Sequence, residues 1–140
     1  MERSSALTPS KLAAEIGNRV ARLDWKRIES DLDARGYALT GTILRSRECA
    51  SLIALYPERE RFRSRVVMER LRYGVGEYKY FARPMPEIVE ELRTELYARL
   101  VATANRWAEQ LRARDSYPNT LSSFLKICAA LREQRDLTTI

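Results

Sequence analysis

The longest regular pattern in the chain sets the limits on its fold. From about Glu87 to Leu111, Val89, Leu92, Leu96, Leu100, Trp107 and Leu111 recur at helical steps, with Thr103 as the one polar break. The spacing predicts one long helix. Pro86 sits ahead of its first turn, where a missing N–H costs nothing. Glu87, Glu90 and Glu91 crowd its start and Arg112 and Arg114 follow its end, as the helix macrodipole favours. Glu95 and Arg99 stand in the favourable i,i+4 order. Such a stripe is read as a core-facing surface before it is read as a partner-binding one. A helix this long needs something to cover its apolar side, and the rest of the chain is judged by what it offers.

The 140 residues suit one domain, with 1–131 as the folded unit and 132–140 as a frayed tail. A hydrophobic fraction of 45% and a charged fraction of 31% are those of a globular protein. No apolar run approaches the roughly 18 residues of a membrane span, so no membrane partner is expected. Met1-Glu2-Arg3-Ser4-Ser5 leads into no apolar secretory segment, and Glu2 and Glu15 argue against a transit peptide. Cys49 and Cys128 are too few for a disulfide framework, and their apolar settings predict two buried thiols. A cytoplasmic location follows as the expectation.

Net charge is +6, carried almost wholly by arginine. The basic residues are interleaved with acids, which weakens a nucleic-acid patch argument. There is no histidine. That removes the usual general base, the usual proton shuttle and the commonest metal ligand together.

Along the chain, Thr8-Pro9 predicts the start of a first helix with Leu12, Ile16 and Val20 as its stripe. Asp24 caps a second, with Trp25, Ile28 and Leu32 inward and Gly36 closing it. Tyr37–Thr40, extended by Thr42–Leu44, reads as a short strand. Ser46 caps a third helix, which places Cys49, Leu52, Ile53 and Tyr56 on one side and stops at Pro57. Arg59 to Arg65 alternates strictly, and as extended chain it would place four arginines on one face. Such a face can bind phosphate or serve as a charged edge, and the charged edge is preferred because Glu58, Glu60 and Glu69 lie close by. Val66–Met68 and Tyr78–Phe81 read as antiparallel strands turned by Gly74-Val75-Gly76. That Gly-x-Gly lacks the third glycine and following helix of a phosphate loop. The tyrosines and Phe81 can stack on bases, but strand aromatics are more often packing residues. Asn119 or Thr120 caps a last helix with Leu121, Phe124, Leu125 and Cys128 inward. Its pattern fails beyond Leu131.

A string of motifs in order then adds a family. It comprises Asp31-Leu32-Asp33-Ala34-Arg35-Gly36-Tyr37-Ala38, Glu48-Cys49, Phe62 to Met68, Gly76 to Phe81, Pro84-Met85-Pro86, Ala104-Asn105-Arg106-Trp107, Phe124-Leu125 and Cys128. From about Trp25 to Cys128 the chain resembles the N-terminal region of bacterial iron(II)- and 2-oxoglutarate-dependent oxygenases of the prolyl-hydroxylase-like group. The resemblance implies an α+β fold, mostly helical with a small antiparallel sheet, that packs against a double-stranded β-helix. It implies hydroxylation of an unactivated C–H bond coupled to decarboxylation of 2-oxoglutarate. In that family His-x-Asp and a distal His on the β-helix hold the iron. None of the quoted motifs is catalytic, so catalytic, cofactor-binding and metal residues are all assigned as none. Fe(II) and 2-oxoglutarate are cofactors of the family and not of these residues.

After Cys128 the sequence departs from the family's expected continuation. A frameshift or premature stop in an oxygenase gene is expected over a deliberately trimmed derivative. The chain alone is expected to be inactive, and to self-associate through apolar surface made for the β-helix. The alternative is a small basic module that binds nucleic acid through Arg59–Arg65, or a protein partner through the long helix.

Overall fold

The computed structural model describes residues 10–137. Its fold is α+β: five helices and one two-stranded antiparallel sheet. In order these are α1 (Lys11–Ala21), α2 (Trp25–Arg35), α3 (Ser46–Ala54), β1 (Phe62–Val67), β2 (Glu77–Phe81), α4 (Glu87–Gln110) and α5 (Leu121–Leu137).

Local chemistry accounts for most boundaries. Ser10 caps α1, its hydroxyl accepting from the Ala13 N–H at 3.2 Å. The expected Thr8-Pro9 start lies outside the described residues. Asp24 caps α2 through the Arg27 N–H, and Gly36 closes it at φ 76°, the left-handed conformation that glycine takes without strain. Thr120 caps α5 through the Ser123 N–H. Pro86 stands at the N-cap of α4. The third helix starts one residue off expectation: Arg45 is its N-cap, and the Glu48 carboxylate reaches back to the Arg45 N–H at 2.7 Å.

The core forms where α1 lies along α4. Ile16 and Val20 are fully buried, Ile88 nearly so, and Leu12, Trp25, Ile43, Leu44, Leu52, Leu92 and Leu96 pack around them. Gly17 permits the close approach, since a Cβ there would come within 3.3 Å of Glu91 Oε1. Ser10 reaches across to Glu87 through a side-chain hydrogen bond. α2 is fastened to α4 by Asp33, which accepts from Trp107 Nε1 at 2.7 Å and from Arg106 at 2.8 Å. Trp25 Nε1 donates to the Val20 carbonyl at 2.9 Å and closes the α1–α2 corner. α5 rests on α4 through Tyr97, whose ring stacks on Phe124 and whose hydroxyl donates to the Pro118 carbonyl. Asn105 holds the intervening loop with a pair of hydrogen bonds to the Tyr117 backbone.

Several expectations are corrected. The strand at Tyr37–Leu44 does not form: no neighbouring strand offers it hydrogen-bond partners, and Leu39 faces solvent. Of the predicted inward face of α3, Leu52 packs against the core while Ile53, at 73% exposure, Tyr56 and Cys49 are exposed. Glu48 is the residue that α3 buries. On α4 the predicted Leu92 and Leu96 pack against the core and Thr103 is buried in line with them, but Ile88 rather than Val89 is the buried residue of the first turn, and Leu100 and Leu111 are exposed, Leu111 at 80%. α5 continues to Leu137, past the point where its apolar spacing fails. Glu133, Gln134 and Arg135 are good helix formers, and helix propagation needs no apolar face.

Candidate functional site

The sheet, the first half of α4 and the start of α5 enclose an open cleft of about 1240 Å³. Each wall is built by a different local rule. β1 pairs with β2 in antiparallel register, Arg65 opposite Lys79 and Val66 opposite Tyr78, with an irregularity between Phe62 and Ser64. The connection through residues 68–76 carries three backbones at positive φ, Arg72, Gly74 and Gly76, and two of them fall on the predicted glycines. The corner after β2 contains a cis bond between Arg83 and Pro84 and delivers the chain into α4. The floor is apolar, with Phe81, Met85, Leu121 and Leu125.

The lining is strongly positive. Arg63, Lys79, Arg83, Arg93, Lys126 and Arg132 contribute six cations against the single carboxylate of Glu90. Arg93 sits 3.7 Å from Glu90 and leans on the Met85 sulfur. Lys79 is the least available of the six. Its ammonium donates to the Tyr56 carbonyl at 2.7 Å and lies 3.9 Å from the centre of the Tyr56 ring. Five cations are left to act on whatever enters. The N-terminal turn of α5 adds Thr120 and Ser122 to the rim and the positive end of a helix dipole.

The predicted four-arginine face is not present. Arg59 and Arg61 fall in a 3₁₀ turn, and only Arg63 and Arg65 enter the strand. Arg61 pairs with Glu58 at 2.9 Å, and Arg65 pairs with Glu77. Both guanidiniums are held protonated above their ordinary range by the hydrogen bonds they donate to these carboxylates. Glu77 is pulled below the usual carboxylate range, chiefly by Arg65 and then by the Tyr56 hydroxyl at 2.7 Å. Alternation in the sequence suggested extended chain from Arg59 onward. Glu58 and Glu60 instead neutralise a turn, while Arg63 turns toward the cleft. The cleft itself was missed, because its cations come from β1, β2, the corner, α4 and α5, and no local window contains them.

Among the described residues, no group of three or more His, Cys, Asp or Glu side chains is placed to hold a metal ion. Cys128 lines the cleft and Cys49 lies away from it, so the two thiols do not come together there. No helix is long and apolar enough to cross a membrane.

Comparison with known families bears on this half of the chain. Residues 76–140 match the model of an oxygenase family described as catalysing oxidative methylation of damaged DNA. The match begins at β2, covers α4 and α5, and runs past Cys128, where the resemblance read from the motifs had been expected to end. It supports an oxygenase-like function, without singling out the prolyl-hydroxylase-like group. No curated protein and no solved structure matches the chain.

Proposed function

We propose that the chain is the helix-and-hairpin portion of an iron(II)- and 2-oxoglutarate-dependent oxygenase, and that its residues frame a substrate rather than perform the chemistry. The observation that carries this reading is the oxygenase match over residues 76–140, which spans β2, α4 and α5, three of the elements around the basic cleft. The donor set for iron is not here: the sequence has no histidine, and the described carboxylates and thiols form no metal cluster. No catalytic step is therefore assigned to any residue of this chain. What these residues supply is a positive, partly apolar recess. The matched family's description names damaged DNA, whereas the motif resemblance from Trp25 to Cys128 is to the prolyl-hydroxylase-like group. Five available cations against one carboxylate favour a polyanion over a neutral peptide. We place the protein in the cytoplasm, as its cysteine usage suggests.

Two measurements test the reading. Purified chain given Fe(II), 2-oxoglutarate and ascorbate is expected to yield no succinate, and iron-dependent succinate would overturn the assignment of chemistry elsewhere. Genomic DNA read past the Ile140 codon in three frames is expected to encode His-x-Asp and a distal His. Their absence from all three frames would remove the oxygenase reading.

A further inference from the structure

We propose that the cleft is a docking site for an acidic amphipathic helix of a partner protein. The helix lays its apolar face on the open stripe of α5 and offers carboxylates to Arg63, Arg83, Lys126 and Arg132. This rests on the polyanion reading above and goes beyond it by naming a protein segment as the occupant.

The first observation is which stripe of α5 borders the opening. Leu121, Leu125, Cys128 and Arg132 follow one another at i, i+4, i+7 and i+11, the spacing of a single helical face, and all four line the cleft. Phe124, beside this stripe, makes the stack on Tyr97 that seats α5 on α4. Leu121 and Leu125 are left half-buried, as are Phe81 and Met85 on the other walls. Leucines one turn apart form a ridge, and the groove beside such a ridge receives the i, i+4 ridge of a second helix.

The second observation is the charge around that seat. Arg63, Arg83, Lys126 and Arg132 are exposed and form no ion pair among the described residues. Glu90, the one carboxylate of the lining, is already beside Arg93 at 3.7 Å. A partner that brings its own carboxylates is complementary to a lining of this sign.

Size and floor select among anions. Small-molecule pockets hold about 300–1,000 Å³ and surround their ligand. This cleft is larger, about 1240 Å³, and open. A helix laid in a groove is covered on one face and needs no enclosure. Nucleic acid would meet the cations, but it has no aliphatic groups to cover Met85, Leu121 and Leu125. An acidic peptide without an apolar face falls short in the same way.

The test is fluorescence anisotropy of the full chain with a labelled, end-capped peptide of about 14 residues, roughly four helical turns. Leu stands at i, i+4, i+7 and i+11 and Glu on the flanks. A scrambled peptide of the same composition and a labelled oligo-dT are compared with it. The amphipathic peptide is expected to bind about tenfold tighter than either, or more. Leu125→Ala should weaken it about tenfold, and Leu125→Met, which keeps the apolar volume, should bind like the parent. Lys126→Glu and Arg132→Glu should each weaken it about tenfold at low salt and less at high salt. Both side chains are exposed, so these reversals probe the site without disturbing the fold. Arg59→Glu, outside the cleft, should change nothing. Saturating peptide should slow alkylation of Cys128, which lines the cleft, and leave Cys49, which lies away from it, reacting as before. Equal or tighter binding of the scrambled peptide or of oligo-dT would overturn the proposal. So would parent-like affinity in Leu125→Ala and Arg132→Glu, or a Cys128 that reacts as fast with peptide as without. None of these outcomes depends on succinate formation or on the downstream reading frame, so the oxygenase reading and the docking site stand or fall separately.

Discussion

Glu48 joins three segments that are far apart in the chain. Its carboxylate takes a fork of two hydrogen bonds from Arg19, at 2.7 and 2.6 Å, and a third from the Arg45 N–H. Arg19 also donates to the Ile43 carbonyl at 2.6 Å, so α1, the 37–45 connection and α3 meet at one ion pair. The Arg19 guanidinium, with help from the Arg45 N–H, holds the carboxyl at about 2, below its ordinary 4.5. A depressed folded value means the ionised form favours the fold. That stability is whole above about pH 4.5 and is lost as pH falls toward 2. Glu48→Gln strands Arg19 in a half-buried site and is expected to cost about 2 kcal/mol at pH 7. Urea midpoints at pH 7 and pH 3 check this: the gap between parent and variant should narrow at the lower pH, and an equal gap at both would show that the charge is not the cause. Sequence reasoning picked out Glu48-Cys49 as a motif but took the apolar neighbours as the buried ones. Ile53 and Tyr56 have the right spacing for a core face, yet burial was decided by Arg19, which is remote in sequence and has no periodic signature.

The helices were legible because capping residues and glycines act locally, and α4 shows how far that goes. Its bounds follow from Pro86 and from the end of its periodicity, and the observed helix departs from them by one residue. Its buried face was harder to read. α1 sits against Ile88, Leu92 and Leu96, and this brings Glu91, with Glu87 and Glu95 on either side of it, toward Gly17. Desolvation, then repulsion from Glu95 and Glu87, pushes the Glu91 carboxyl above its ordinary range. A raised acid has the opposite sign from Glu48: its ionised form costs stability at neutral pH, and protonation relieves that cost as pH falls. Glu91→Gln is therefore expected to raise the melting temperature at pH 7.5 and to give a smaller gain at pH 4.5. A variant that melts lower than the parent at pH 7.5 would show that the carboxylate has a partner outweighing this strain. The sheet was read less well than the helices. β2 and its antiparallel pairing with β1 were visible in the aromatic run, while the strand at Tyr37–Leu44 was not borne out. Strand formation depends on a neighbour elsewhere in the chain, and propensity alone does not report one.

At the scale of the whole molecule the core formed by the described residues is small. The fully buried side chains are few, with Ile16 and Val20 the largest. Leu39, Ile53, Leu111, Ile127 and Leu131 all face solvent. Apolar area left in water contributes nothing to folding and drives association. The two-stranded sheet adds open edges, which are templates for pairing with another chain. The basic surface opposes this through self-repulsion at low salt, where net charge +6 is least screened. Added salt should therefore tip the balance toward self-association. Sedimentation of the purified chain is expected to show mass rising with protein concentration, more steeply at 0.5 M than at 0.05 M salt, and its melt should be broad and dependent on concentration. A sharp melt that stays the same over a hundredfold range of concentration, with a monomer throughout, would show that α1, α2 and α4 make a sufficient core by themselves. The exposed leucines and isoleucines would then be ordinary surface residues, and the expectation that they wait for a further layer of protein would fail.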